Sequence, residues 1–249
     1  MSTLIRDYER FAKEANEICK GRVYTDHLRR YAYGVDASCY SYLPKVVVKA
    51  EDEREVRRLI RLCQQCGTPF TFRAAGSSLS GQCSSEDVLI VCNDGFKKME
   101  VIDDGKALKC ECGVIGSDAN DLLKPYNRKI GPDPATLATA LVGGILNNNS
   151  SGMCCGTAQN SYKTIRSIRV VLLDGSILDT SDQKSIDQFL KEKPQMVEDI
   201  LQLRKDILAD EELTHLIHHK YKIKNTTGYG LNSLVDFEDI IDIINHLFI

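Results

Sequence analysis

The sequence has no surplus of charge. Its 32 Lys and Arg stand against 35 Asp and Glu, a formal charge of −3. Without a basic excess there is no electrostatic reason to expect a nucleic acid partner. The longest apolar runs fall far short of a membrane span. The N-terminal "MSTLIRDYERF" lacks the basic-then-apolar layout of a signal peptide. These absences lead to the expectation of a cytoplasmic protein with no transmembrane segment, with peripheral attachment to the inner face of a membrane left open.

Nucleotide fingerprints are missing too, with neither a GxGxxG nor a P-loop lysine in the chain. Of the ten cysteines, Cys63 and Cys66 form the one CxxC. Cys110 and Cys112 form a CxC, and Cys154 and Cys155 are adjacent. A zinc or iron–sulfur site needs four ligands brought together, and this spacing does not spell one. The CxxC falls on the pattern of an amphipathic helix, where cysteine serves as a small apolar filler. Reduced, buried, structural thiols and no metal site are therefore expected. Internal repeats and low-complexity tracts are also absent.

What is present is a chain of 249 residues, 43% hydrophobic, long enough for one large domain or two lobes. Leu4, Tyr8, Phe11, Ala15 and Ile18 recur at helical spacing, so a helix is expected over 3–20. "KVVVKA" (Lys45 to Ala50) reads as a strand. Asp52 with Glu55 opens a helix that buries Val56, Leu59, Ile60 and Cys63 and ends at Gly67. "PFTFR" is the next strand and "DVLIVCN" (Asp87 to Asn93) a third. Strand, helix, strand with short connections implies a parallel sheet. Two hairpins follow, turning at Asp104-Gly105 and Asp174-Gly175. Helical segments are expected around 182–210 and 236–247. The fold class is α+β, a small parallel lobe followed by a larger antiparallel lobe with helices.

Two stretches are rich in small residues. "AAGSSLSG" (Ala74 to Gly81) follows a strand and is either an ordinary loop or a cradle for phosphate. Glycine allows positive φ and close approach, successive N–H groups converge on an anion, and Ser77, Ser78 and Ser80 add hydroxyl donors. "GPDPATLATALVGGILNNNSSG" (Gly131 to Gly152) is stiffened by Pro132 and Pro134, then opened by Gly143-Gly144. Its flanking Leu137, Leu141, Val142, Ile145 and Leu146 argue against disorder, so a buried binding segment is the better reading. Two such stretches suit a long ligand with two phosphates and an aromatic end, a dinucleotide.

At these residues the chain resembles the FAD-binding domain of the vanillyl-alcohol oxidase / p-cresol methylhydroxylase superfamily (the PCMH type). Within it, the chain looks most like the FAD-linked oxidases that include D-lactate dehydrogenase and the glycolate oxidase flavin subunit. The resemblance runs from about Tyr24 to the C-terminus. The motif that wraps the FAD diphosphate corresponds to Arg73, Ala74, Ala75, Gly76, Ser77, Ser78, Leu79, Ser80 and Gly81. A second motif corresponds to Pro132, Asp133, Pro134 and Ala135 with Gly143 and Gly144. "NNSSGMCCGTAQNSY" (Asn148 to Tyr162) resembles the stretch beside the flavin, which implicates Asn148, Ser151, Gly152 and Gly156. "YAYGVDAS" (Tyr31 to Ser38) and "KNTTGYGLNSL" (Lys224 to Leu234) also match family segments. Ser77 stands where covalently flavinylated members carry histidine, so the resemblance implies non-covalent FAD.

The resemblance implies a domain plan of an N-terminal arm (1–43), one FAD lobe (44–100) and a second (101–249), with a substrate-cap domain absent from this chain. It implies oxidation of a small 2-hydroxy acid, D-lactate or glycolate-like, with electrons leaving to an acceptor other than NAD, such as an iron–sulfur domain or subunit. None of His27, His215, His218, His219 and His246 matches a family catalytic position, so the chain alone is expected to be inactive and its catalytic residues are unassigned. The trio on the predicted helix around His215 to His219 reads as a solvated face. Three alternatives stay open: a non-catalytic FAD-binding electron-transfer subunit, an NADPH-driven reductase of the same fold acting on enolpyruvyl-UDP-GlcNAc, and a phosphate-binding module without flavin.

Overall fold

A computed structural model of the chain describes residues 6–224 and 228–249. Residues 3–5 of the expected first helix and Asn225, Thr226 and Thr227 of the "KNTTGYG" segment lie outside the described residues. The chain divides into two compact units. The first runs to Lys129 and takes in Thr136–Gly144 and Leu173–Ser176; the second holds Ile130–Ala135, Ile145–Leu172 and Ile177–Ile249.

In the first unit, α1 (Tyr8–Ile18), β1 (Val23–Tyr24) and α2 (His27–Tyr33) lead into β2 (Val46–Lys49), α3 (Glu53–Cys66), β3 (Phe70–Arg73) and β4 (Val88–Val91). These strands form one sheet in the order β1-β2-β4-β3. β4 is parallel to both β2 and β3, with Val88 opposite Val46 on one side and Phe70 on the other. β4 is central and its Val88, Leu89, Ile90 and Val91 are all buried. That is the burial a continuous apolar run predicts for a parallel strand covered on both faces. The strands expected from the sequence are present. However, β2 and β3 are not neighbours: β4 sits between them.

The ends of α3 show why it forms where it does. The Asp52 carboxylate accepts from the Glu55 N–H at 2.8 Å, meeting one of the donors that a helix start leaves unpaired. Gly67 closes the helix in the left-handed region, at φ 64°. One face packs Val56, Leu59, Ile60 and Cys63 into the core, and Cys66 is buried with them. The CxxC cysteines are thus the apolar fillers the sequence suggests. Elsewhere Cys39, Cys112 and Cys154 are exposed. The first expected hairpin is β5 (Met99–Ile102) with β6 (Ala107–Cys110). α4 (Gly116–Leu123) follows it.

In the second unit, α5 (Val142–Asn147), whose first residues belong to the first unit, leads to α6 (Ser161–Thr164) and to the second hairpin, β7 (Arg169–Val171) with β8 (Ile177–Asp179). Then come α7 (Gln183–Glu192), α8 (Pro194–Ala209), α9 (Glu211–Tyr221), α10 (Ser233–Asp236) and α11 (Ile240–Leu247). Pro194 at the first turn of α8 splits the helical segment expected over 182–210 into two. Leu178, Phe189 and Ile244 form one buried cluster, and Ile207, Ile217, Leu234 and Ile243 another. Among the described residues no helix is long and apolar enough to cross a membrane.

Candidate functional site

The loop Ala74–Gly81 leaves the sheet at the C-terminal end of β3, where the Cys92 N–H still reaches the Arg73 carbonyl at 2.9 Å. In open parallel sheets this is the edge at which ligands bind. Gly76 and Gly81 both take positive φ, 76° and 77°, the left-handed backbone that glycine adopts without strain. The Ser80 N–H donates to Ser78 Oγ at 3.3 Å, and that hydroxyl also bonds Gln82 Oε1. The N–H groups of Gly76, Ser77 and Leu79 have no hydrogen-bond partner among the described residues. Successive unpaired backbone N–H groups of this kind can make an anion-binding nest.

Gly143 and Gly144 come to this loop within the same unit. A side chain on Gly144 would lie 3.5 Å from the Ala74 Cβ, so the two backbones approach with little between them. Gly143 is tighter still, because its N–H donates to the Cys112 carbonyl at 2.9 Å and an added Cβ would sit 2.6 Å from that of Cys112. The stretch 112–117 pairs with 137–143 through Gly116 N–H to Ala140 O and Val142 N–H to Val114 O. The Gly-Gly step is therefore held in place and continues into α5. This short helix was not expected from the sequence, because two glycines inside a six-residue element erase its periodicity.

In the second unit, Asp133 organises the other predicted segment. Its Oδ1 accepts from the Gly152 N–H at 2.9 Å and the Cys155 N–H at 3.2 Å. The thiol of Cys155 first, then these N–H groups and the Cys154 thiol, hold its carboxyl down at about 2. A side chain on Gly152 would strike the Asp133 carbonyl at 2.0 Å. Ser151 is buried and its hydroxyl has no partner among the described residues, while its carbonyl accepts from Lys224 Nζ. Pro132 is buried and Ala135 exposed. Asn148 Nδ2 donates to Ser150 Oγ at 3.1 Å, and Gly156, at φ 50°, has open space where a side chain would go.

The predicted residues thus fall into two groups. Ala74–Gly81 and Gly143-Gly144 meet in the first unit; Pro132–Ala135 and Asn148–Gly156 meet in the second. The histidines join neither group. His215, His218 and His219 are exposed on α9. His246 is stacked on Phe237 with ring centroids 4.2 Å apart. Sequence reasoning missed the support beneath the first loop, which comes from Tyr33, Val35, Asp36 and Tyr40. The matching segment "YAYGVDAS" was the signal for it.

Residues 44–181 match the family described as FAD binding domain. The chain is 28% identical over 164 residues to D-2-hydroxyglutarate dehydrogenase of Escherichia coli strain K12, covering 64% of this chain and 16% of that protein. It is 26% identical over 164 residues to glycolate oxidase subunit GlcD of Bacillus subtilis, covering 64% and 34%. Against D-lactate dehydrogenase of Archaeoglobus fulgidus the identity is 28% over 137 residues, covering 53% and 30%. The matched part therefore spans about a third or less of each of these relatives. Among solved structures, an alkyldihydroxyacetonephosphate synthase aligns with a TM-score of 0.60 at 19% identity, over 70% of this chain and 38% of that one. Physcomitrella patens BBE-like 1 aligns at 0.57 and 18%, over 68% and 37%. The fold is the one that the sequence resemblance implies.

Proposed function

We infer the function of this chain from one established premise: it belongs to the FAD binding domain family. It is the FAD-binding portion of a flavin-dependent oxidoreductase that oxidises a 2-hydroxy acid of the D-lactate, glycolate or D-2-hydroxyglutarate class. Electrons leave to an acceptor other than NAD, an iron–sulfur domain or subunit fitting that role. The observation that carries the reading is the loop Ala74–Gly81, with its unpartnered amides at Gly76, Ser77 and Leu79 and two glycines at positive φ, set against Gly144.

These residues fit the cofactor. No lysine lies in the loop, so the amides of Gly76, Ser77 and Leu79 and the serine hydroxyls would meet the diphosphate charge. Gly143 and Gly144 would offer bare backbone to a flat ligand surface. In the second unit, Asp133 ties the Pro132–Ala135 segment to Gly152 and Cys155, and the Ser151 hydroxyl, without a partner among the described residues, would be open to a polar group. Ser77 stands where the resemblance has histidine in covalently flavinylated members, which supports a cofactor held without a covalent link. Bound there, FAD would supply the two-electron redox chemistry, and the chain would bind and orient it.

The test is uptake of FAD by the purified chain. A dissociation constant of about 1 μM or tighter is expected, with riboflavin, which lacks the diphosphate, at least about tenfold weaker. Acid precipitation should release all the flavin into solution. The loaded chain alone should keep its visible flavin absorbance when D-lactate, glycolate or D-2-hydroxyglutarate is added. A colourless chain that takes up no FAD would overturn the cofactor reading, and flavin retained in the acid pellet would overturn the non-covalent one.

A further inference from the structure

We propose that the stretch Tyr33–Tyr40 is a built-in brace for the diphosphate loop, and that Arg73 is the positioning residue that locks it, with its guanidinium committed to backbone carbonyls instead of to the ligand. Arg73 is a motif residue that the family resemblance places at the cofactor. Yet its side chain turns inward and is 9% exposed. Nη2 donates to the Val35 carbonyl at 2.8 Å and Nη1 to the Tyr33 carbonyl at 3.3 Å. The guanidinium lies directly behind Gly76, where an added Cβ would be 2.1 Å from Nη2. The positive φ of Gly76 and the buried fork of Arg73 are thus two halves of one fitting.

Two further attachments tie the same stretch to the far end of the loop. The Tyr40 ring packs against Gly81, whose Cβ, if present, would meet Tyr40 Cδ2 at 2.9 Å. The Cys83 thiol donates to Asp36 Oδ2 at 3.4 Å, and Asp36 Oδ1 accepts from the Ser38 N–H at 2.8 Å. The stretch is itself closed, because the Tyr42 N–H reaches the Gly34 carbonyl at 2.9 Å and Val35 bridges Ser41. Tyr33, Val35, Asp36 and Tyr40 all precede residue 44, where the family match begins.

The physical need is plain. A glycine- and serine-rich loop loses conformational entropy when it is ordered, and a ligand that has to order it loses affinity accordingly. The brace orders the amides of Gly76, Ser77 and Leu79 before the ligand arrives. Lysine cannot replace Arg73 in this role, because one ammonium does not span two carbonyls as a planar fork does.

The brace is tested on the full chain by ¹⁵N relaxation of the Gly76–Leu79 amides without nucleotide and by FAD titration, in wild type, Arg73→Lys and Asp36→Asn. In both variants the amide order parameters should fall from about 0.85 toward about 0.6, and the FAD dissociation constant should rise about tenfold. The two readings differ in sign at Asp36: by charge alone, removing an anion beside a diphosphate site tightens binding, whereas loss of the brace weakens it. Unchanged order parameters, wild-type affinity in Arg73→Lys, or tighter binding in Asp36→Asn would each overturn the proposal. The titration rests on the FAD reading. If wild type takes up no FAD, that reading fails while the order parameters still decide the brace. Should Arg73→Lys not fold, Asp36→Asn decides alone.

Discussion

At the scale of single residues, two positions make sharp predictions. Gly76→Val places a β-branched side chain at φ 76° with its Cβ 2.1 Å from Arg73 Nη2. The left-handed backbone alone costs an L-residue roughly 1–2 kcal/mol, and the collision displaces the loop amides. FAD affinity should drop about thirtyfold, near 2 kcal/mol, in a variant whose circular dichroism is unchanged; wild-type affinity would remove this loop from the site. Asp133 predicts a pH dependence. Its folded carboxyl is held at about 2, against about 3.9 in an unfolded chain. A depressed carboxylate stabilises the fold fully above the unfolded value and loses that contribution as pH falls toward the folded one. The melting-temperature gap between wild type and Asp133→Asn should therefore be constant above about pH 5 and close between about pH 4 and 2; a gap that ignores pH would sink the assignment. The types of the loop residues were legible in the sequence, because glycine, serine and proline constrain the backbone locally. The inward turn of Arg73 was not, because it depends on carbonyls about forty positions away.

At the scale of elements, α3 shows how far local signals reach. Asp52, Glu55 and Gly67 fixed both its ends in advance, because caps act within one turn. Glu55 does more than the capping pattern foretells. Besides accepting from the Glu51 N–H at 2.8 Å, it receives the Arg22 fork at 2.9 and 2.6 Å and so fastens the start of α3 to the chain beside β1. Asp52→Ala should cost about 1 kcal/mol, the usual value of a cap. Glu55→Ala should cost about 2–3 kcal/mol, because it strands a half-buried guanidinium as well. Urea melts of the two variants check this, and a Glu55→Ala cost no larger than that of Asp52→Ala would show that the ion pair contributes nothing. By contrast, α5 escaped notice because Gly143 and Gly144 dilute its helical pattern. Strand order escaped for another reason. β2 and β4 are both short apolar runs, and nothing in either says which one takes the centre.

At the scale of the whole molecule, the legible part was chemistry and the illegible part was pairing. Two small-residue stretches led to the expectation of a long ligand with phosphates. That Ala74 would lie against Gly144, seventy positions on, is a product of the fold and not of either stretch. The cofactor reading can be tested at this scale without any variant. A ligand that binds only the folded chain stabilises it in proportion to the logarithm of its concentration, by about 2.7 kcal/mol at a hundred times its dissociation constant. For a chain of this length that corresponds to a rise in melting temperature of roughly 5–10 °C. FAD should give this rise. ADP shares its diphosphate and should give a smaller one, because it lacks the ring that would rest on bare backbone. Riboflavin at the same concentration should give the least, because the amides of Gly76, Ser77 and Leu79 would find no anion. If riboflavin matches FAD, the ring and not the diphosphate holds the cofactor, and the loop Ala74–Gly81 is no anion site.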